Sequence, residues 1–375
     1  MTDTTSPAVP DKTDTGTGIE TKQTFETLNG MRGIAALAVV MMHAQWWLGI
    51  IHPAIVSLAV DFFFVLSGFV IAYAYQKPLR AGLRRRDFML ARFIRLYPMF
   101  VIGLVFGIAA RWTYARPSNL TPFFDNVGFN LFMLPFPLQY PAKADNLFPL
   151  NFPAWSLFYE LSAYVIFALL TPLLNNRRLA VLIAIGFLML IVTGVTEGSL
   201  DRGTWRPSVL GGFARVTFSF FSGVALYRLW LHHPTRIRLH PAILFVLLVL
   251  PLVWRPNAGP FAWLYELAVI TLWMPLMVWL GAGGTAKGFW LRTCVVLGAL
   301  SYPLYIVHAP ILSVVGQFDN YQVAAFLSQT APWGALGLIF LLGAFAWLLA
   351  TYVDAPVRRW LTSILTPNWS KARAP

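Results

Sequence analysis

The most constraining feature of this sequence is a series of apolar segments, each close to the length that crosses a lipid bilayer. A crossing needs about 20 mostly apolar residues, and because lipid offers no hydrogen bonds the backbone has to satisfy its own as a helix. The sequence therefore predicts an all-α, polytopic transmembrane helix bundle of about ten spans, of which the seventh is the shortest. The segments are 30–50, 54–76, 96–112, 150–172, 179–195, 208–230, 242–254, 261–281, 293–316 and 331–353.

The composition agrees with a membrane protein. Hydrophobic residues make up 58% of the chain and charged residues only 11%, whereas charged residues are about 25% of an ordinary soluble protein. This excludes a typical soluble enzyme and a disordered protein. The single cysteine, Cys294, excludes an intrachain disulfide.

The basic residues predict how the chain is oriented. With the N-terminus in the cytoplasm, 21 of the 28 Lys and Arg residues fall on the cytoplasmic side, as the positive-inside rule requires. Both termini are then cytoplasmic. Membrane topology explains the net charge of +13 without a nucleic-acid partner, and the predicted partners of the surface are membrane lipids. We expect a disordered tail over 1–27, a membrane domain over 28–360 and a cytoplasmic tail over 361–375. The long connection 113–149 is predicted to hold an interfacial or re-entrant helix.

Ionisable side chains inside the spans are the first candidates for a functional site, because lipid makes them costly. Counted from the outer end of each span at 1.5 Å per residue, five such residues lie about 10–15 Å deep. Polar groups at one depth on five helices predict a single buried polar chamber. The five are His43, Asp61, Glu160, Arg215 and His308.

Two of these helices carry polar residues at helical spacing, so that each set shares one face. We expect both faces to line the chamber. The sets are Ser156, Glu160 and Tyr164 on one helix, and Ser301, Tyr305 and His308 on the other.

His43 is the strongest candidate for a base. Asp61 lies at matched depth on the next helix, and a carboxylate beside an imidazole fixes its tautomer and favours general-base work; the alternative is a structural hydrogen bond. Arg32 precedes His43 by eleven positions, which puts it on the same face but about 16 Å away. Arg32 would then mark the cytoplasmic mouth, unless it only extends to lipid headgroups.

A pair of arginines precedes the third span. Arg92 and Arg95 share one helix face directly before Tyr97 and Pro98. Two guanidinium groups at a membrane mouth suit bidentate phosphate binding, which points to a phosphate-bearing cytoplasmic donor. The neighbouring run 84–86 is better explained by topology and contact with anionic lipids.

Five ordered motifs between about 28 and 360 make the sequence resemble the acyltransferase 3 family of bacterial multi-pass membrane O-acyltransferases. Two departures are Asn29, where the family usually has Asp, and Asp354-Ala355-Pro356, where it has Glu-x-Pro; neither is expected near the chamber. The motifs are Leu28 to Ala36 leading to His43, Asp61 to Phe69 (DFFFVLSGF), Arg92 to Pro98, Pro153 to Leu157 with Glu160, and Leu300 to His308.

The resemblance implies transfer of an acyl group, usually acetyl, from acyl-CoA to a hydroxyl of a glycan or lipid-linked acceptor, in the bacterial cytoplasmic (inner) membrane and without a metal. It implies that Arg32 and His43 are essential. It also links Arg92 and Arg95 to the donor, and Ser67 and Tyr97, in neighbouring motif positions, are predicted to bind it with them.

Two mechanisms follow. In one, His43, oriented by Asp61 or Glu160, deprotonates the acceptor hydroxyl; in the other, His43 itself carries the acyl group. Arg215, Tyr305 or His308 would stabilise the oxyanion.

The competing class is a proton-coupled transporter, which would use the same buried charges as a proton relay. It explains the common depth but not the paired arginines.

Overall fold

The computed structural model describes residues 24–49, 55–114, 120–138, 145–254, 256, 259–317 and 321–366. These residues form an all-α fold without a β-strand, as predicted. The helices are α1 (Glu26–His43), α2 (Ala59–Arg80), α3 (Arg85–Tyr114), α4 (Leu120–Leu131), α5 (Ala154–Leu170), α6 (Asn176–Glu197), α7 (Val209–His232), α8 (Pro241–Val253), α9 (Ala262–Ala268), α10 (Met274–Ala282), α11 (Gly288–Gln317), α12 (Gln322–Gln329), α13 (Trp333–Leu349) and α14 (Ala355–Leu365). π-helical turns at Val269–Trp273 and Ala350–Asp354 join α9 to α10 and α13 to α14.

Seven helical stretches are long and apolar enough to cross a membrane, so the chain is a multi-pass membrane protein. Two further apolar helices, α5 and α8, are shorter. Every predicted segment contains a helix, but the total of ten crossings and the cytoplasmic placement of the termini stay predictions. Most of the predicted N-terminal tail lies outside the described residues, as does 367–375. The seven stretches are Val56–Arg80, Arg85–Thr113, Asn176–Glu197, Arg206–His232, Gly259–Ala282, Gly288–Gln317 and Trp333–Leu365.

Two pairs of parallel helices form the centre of the bundle, α1 with α11 and α2 with α7. Both pairs pack with backbones in contact, which only glycine allows. A Cβ atom at Gly33 would overlap the carbonyl of Leu297, and one at Gly68 would overlap the carbonyl of Phe220. Small residues of this kind let membrane helices approach closely and gain dispersion energy. The two glycines therefore fix how the polar residues of each pair are aligned.

The helix predicted within the long connection is α4, and it runs back along α3. The ring of Phe123 packs on Trp112 at one end, and at the other the Tyr97 hydroxyl donates to the carbonyl of Leu131 at 3.1 Å. Asn126 near its middle is fully buried. The helix predicted in this connection is therefore present, and the Tyr97 hydroxyl holds its C-terminal end.

We predict that Gly68→Val lowers the melting temperature of the purified protein in detergent, because the new side chain forces α2 away from α7. Overpacking typically costs about 1–3 kcal/mol. Gly337→Val is the matched control, because a Cβ atom at Gly337 in α13 meets nothing within 4 Å. Equal melting temperatures for the two variants would contradict the proposed role of glycine contact.

Candidate functional site

A cavity of about 300 Å³ lies among α1, α2, α3, α5 and α11. Apolar side chains form part of its wall, but its polar side chains come from all five helices. Those polar residues are Arg32, Ser67, Arg92, Arg95, Ser156, Glu160, Tyr164, Ser301, Tyr302 and Tyr305.

Two of the three cavity arginines are held by the protein. Arg32 donates from Nε to Ser301 Oγ and from Nη2 to the carbonyl of Gly298, both at 2.8 Å. Arg92 donates from Nη2 to the Tyr75 hydroxyl at 2.9 Å, and its guanidinium carbon lies 4.7 Å from the centre of the same ring. Both guanidinium groups are thus oriented before any ligand binds.

The third arginine, Arg95, makes no hydrogen bond with any residue that the structure describes. The one carboxylate of the lining is Glu160, whose Oε1 accepts from Ser67 Oγ at 2.6 Å and from the Tyr164 hydroxyl at 2.5 Å. Three arginines against one glutamate leave an excess of positive charge in a buried site. Such an excess favours an anionic ligand, because buried charge is costly without a counter-charge.

The two intramembrane histidines contact each other. His308 Nδ1 lies 2.7 Å from the carbonyl oxygen of Tyr305, so it carries the proton and donates it, and His308 Nε2 is left as an acceptor. His43 Nδ1 lies 3.1 Å from this Nε2 and 2.9 Å from the carbonyl oxygen of Val39, so it also has to be protonated. The neutral pair therefore leaves His43 Nε2 with a free lone pair, which is the form that a general base or a nucleophile needs.

Asp61 and Arg215 form a separate, fully buried ion pair. Arg215 donates to Asp61 Oδ2 from Nε at 3.1 Å and from Nη2 at 2.7 Å, and both side chains have an exposure of 0%. Its Nη1 also donates to the carbonyl of Arg202, and its Nη2 to that of Ser57, both at 2.9 Å. The predictions that Asp61 or Glu160 orients His43 are wrong in this structure, because the partner of His43 is His308.

The single predicted chamber is thus divided. Glu160 and Tyr305 line the cavity, whereas the histidine pair and the Asp61–Arg215 pair lie outside its lining. Tyr305 connects the parts: its hydroxyl lies 2.8 Å from Ser156 Oγ and its ring centre 5.9 Å from that of His308.

The predicted donor residues divide in the same way. Arg32, Ser67, Arg92 and Arg95 line the cavity, whereas Tyr97 lies outside its lining and contacts α4 instead.

The sequence reasoning missed several residues of the site. Tyr75 could have been found, because it follows Ser67 by eight positions and shares its helix face. Tyr302 lines the cavity and donates to the carbonyl of Leu96 at 2.5 Å. Asp354, which was expected to lie away from the site, interacts electrostatically with Arg95 and Tyr302.

We predict that Arg215→Gln and Asp61→Asn each lower the melting temperature, because each leaves a buried charge without its partner, at a typical cost of about 3–5 kcal/mol. The double variant should melt above either single variant, since it leaves no unpaired charge. The measurement is thermal unfolding in detergent. A double variant that loses the sum of both effects would show that the two residues act independently.

Among curated proteins, the chain is 36% identical over 180 residues to a protein named for its place in the picA locus of Rhizobium radiobacter, covering 45% of this chain and 93% of that protein. It is 26% identical over 382 residues to a Staphylococcus aureus (strain MRSA252) protein whose name assigns it provisionally as an O-acetyltransferase, covering 93% of this chain and 59% of that one. It is also 26% identical over 371 residues to a peptidoglycan O-acetyltransferase of Listeria monocytogenes, covering 89% of this chain and 56% of that one. The chain therefore spans less than two thirds of the latter two relatives.

No solved structure matches the chain. The sequence profile of the acyltransferase 3 family, described as an acyltransferase domain, matches residues 25–353. This match covers the cavity, both buried pairs and nearly every described helix. The chain belongs to the acyltransferase 3 family.

Proposed function

We propose that this protein is an integral membrane O-acyltransferase of the bacterial cytoplasmic membrane. It would move an acyl group, acetyl in the first instance, from cytoplasmic acyl-CoA to a hydroxyl of a glycan or glycan-like acceptor. The observation that carries the proposal is an arginine-rich cavity whose lining residue Tyr305 contacts His308, which in turn contacts His43, the histidine with a free lone pair. Family membership and the names of the relatives support the same reaction class, and they lend no support to a proton-coupled transporter.

The arginines suit the phosphates of an acyl-CoA donor. Arg92 and Arg95 lie one helical turn apart on α3, and Arg32 lines the same cavity from α1. Guanidinium groups bind phosphate oxygens through paired, charge-assisted hydrogen bonds. Arg95, with no hydrogen-bond partner among the described residues, has its full donor capacity for the ligand. The pantetheine arm would then extend through the cavity toward Tyr305.

His43 acts on the acceptor in this proposal. Its Nε2 takes the proton of the acceptor hydroxyl as that oxygen attacks the thioester carbonyl carbon. The carbon–sulfur bond then breaks, and the proton passes to the departing sulfur to give free CoA and the acyl ester. The Val39 carbonyl and His308 Nε2 share the Nδ1 proton of His43 and hold it in place throughout. In the alternative route the same Nε2 attacks the thioester carbonyl carbon, the carbon–sulfur bond breaks, and CoA departs as the thiolate. The acceptor hydroxyl then attacks the acylated His43, which frees Nε2, and the released hydroxyl proton neutralises the thiolate.

A layer of aromatic side chains separates the two ends of the site. Phe63 and Tyr305 both line the cavity, and their rings meet edge to face with centres 5.6 Å apart. The thioester has to pass this contact to reach His43. The Tyr305 hydroxyl lies 2.8 Å from Ser156 Oγ and 3.4 Å from the carbonyl oxygen of Pro153. In this proposal it turns from these partners to donate to the carbonyl oxygen of the thioester, which is the oxyanion-stabilising role. We do not assign Arg215 to stabilising the oxyanion, because each of its nitrogens already donates to Asp61 or to a backbone carbonyl.

We predict that the double variant Arg92→Gln/Arg95→Gln binds acetyl-CoA at least tenfold more weakly than the wild type. Hydrogen bonds to charged groups contribute about 1.5–3 kcal/mol each, and about 1.4 kcal/mol corresponds to a factor of ten. Titration calorimetry on the purified protein in detergent measures the change. The matched control is Arg85→Gln/Arg86→Gln, which removes two exposed arginines from the start of the same helix. An equal loss in both double variants would indicate a general charge effect rather than a site.

We predict that His43→Ala slows release of free CoA from acetyl-CoA by about 10²–10⁴-fold, the usual contribution of a general base, while the Kd for acetyl-CoA stays unchanged. His308→Ala should also slow release, and His308→Gln should recover part of it because its amide oxygen can accept the Nδ1 proton of His43. A His308→Gln variant as slow as His308→Ala would reject the tautomer role. Rapid quenching followed by mass spectrometry distinguishes the two routes, since only the second gives acylated His43.

A further inference from the structure

The π-helical turn Ala350–Asp354 and the first turn of α14 carry a carboxylate, Asp354, and a guanidinium group, Arg358. Neither residue belongs to the cavity lining. Asp354 is 2% exposed, and its Oδ2 accepts from Nη2 of Arg358 at 2.7 Å. Its Oδ1 is buried and has no hydrogen-bond partner among the described residues, and the same holds for Nε of Arg358. Both groups thus retain hydrogen-bonding capacity that the folded protein leaves unused.

The backbone explains why this pair points inward. A π turn inserts one residue into the helix, and such turns are frequent at functional sites. Arg358 follows Asp354 by four positions and shares its helix face, whereas Arg359 is turned by about 100°. Arg359 is exposed, whereas the Arg358 side chain is 28% exposed. Of these two adjacent arginines, Arg358 is the one held by an ion pair with Asp354.

The pair is coupled to the proposed donor cavity. The α14 helix packs against α3, which carries Arg95. Arg95 interacts electrostatically with both Asp354 and Arg358, and so does Tyr302 on α11. Arg95 on α3 and Tyr302 on α11 both line the cavity, and the π turn packs against both of these helices. Asp354 and Arg358 therefore lie close to the cavity on the side of Arg95.

We propose that Arg358 forms a second phosphate subsite of the donor, and that Asp354 is a positioning residue that holds Arg358 toward the cavity. The inference rests on the proposed function. A CoA donor carries two separate phosphate groups: a diphosphate bridge close to the pantetheine arm, and a terminal monoester on the ribose. The cavity arginines Arg32, Arg92 and Arg95 suit the diphosphate, which follows the arm. The ribose phosphate lies farther from the thioester, and a partly exposed cation outside the cavity lining suits it.

The test compares two donors, acetyl-CoA and acetyl-3′-dephospho-CoA, which differ only in the terminal phosphate. Their Kd values would be measured by calorimetry at one fixed ionic strength, because exposed charges are screened by salt. We expect the wild type to prefer acetyl-CoA at least tenfold. Arg358→Gln should weaken acetyl-CoA binding to the level of the dephospho donor and leave the dephospho donor unchanged. Arg359→Gln, the matched control, should keep the full preference.

Two further variants test how Arg358 is held. Asp354→Asn should reduce the preference for acetyl-CoA over the dephospho donor. An effect through Arg95 or on the fold alone would weaken both donors equally and leave the preference as it is in the wild type. Arg358→Lys keeps the charge but loses the planar fork, so it should retain part of the preference. It also serves in place of Arg358→Gln if that variant does not fold.

The outcomes separate the two proposals. A wild type that binds neither donor rejects the proposed function itself. A wild type that binds both donors equally rejects the subsite alone. The subsite is also rejected if Arg358→Gln weakens both donors to the same extent, or if Arg359→Gln removes the preference as completely as Arg358→Gln does. A full preference in Asp354→Asn rejects the positioning role of Asp354.

Discussion

Compensation of buried charge is the constraint on which the rest of this structure depends. A bundle surrounded by lipid has little water to solvate an ion, so a charge inside it needs a partner. The Asp61–Arg215 pair meets this requirement completely, with both side chains buried and every guanidinium nitrogen engaged. The histidine pair meets it by staying neutral. The cavity, in contrast, keeps an excess of positive charge among its lining residues, and that excess favours an anionic ligand, as a structural ion pair does not.

Close helix contact aligns the two ends of the proposed reaction path. The α1 and α11 helices run parallel with their backbones touching at Gly33, so residues along one helix stay in step with residues along the other. Arg32 bonds the carbonyl of Gly298, and eleven residues farther along α1 His43 meets His308, ten residues beyond Gly298. One packed pair thus carries Arg32, proposed to bind the donor, near one end and His43, the proposed base, near the other.

The helices could be predicted from the sequence, but the pairing of the polar residues could not. The predicted helices and five polar positions are all present, because apolar length and the cost of buried charge leave clear marks in a sequence. Asp61 and Ser67, however, are six residues apart on α2, so their side chains are turned about 120° from each other around the helix axis. Asp61 meets Arg215 on α7, and Ser67 meets Glu160 on α5. Which helix lies on which side depends on the tertiary arrangement. The π turn before α14 likewise departs from the helical period, which hides the inward direction of Asp354.

The separation of the cavity from the histidine pair has a consequence for the acceptor, within the proposed reaction. His43 is half-buried, and its ring packs on Phe152, which in turn packs on Trp205; Trp205 is 45% exposed. An acceptor reaching His43 past these rings would approach from the side opposite to the arginines, with the Tyr305 layer between it and the donor phosphates. Aromatic rings suit the apolar faces of a sugar, whereas the arginine side suits only anions. The two substrates would then meet at the one layer that both can reach, and the base would already lie on the acceptor's side of it.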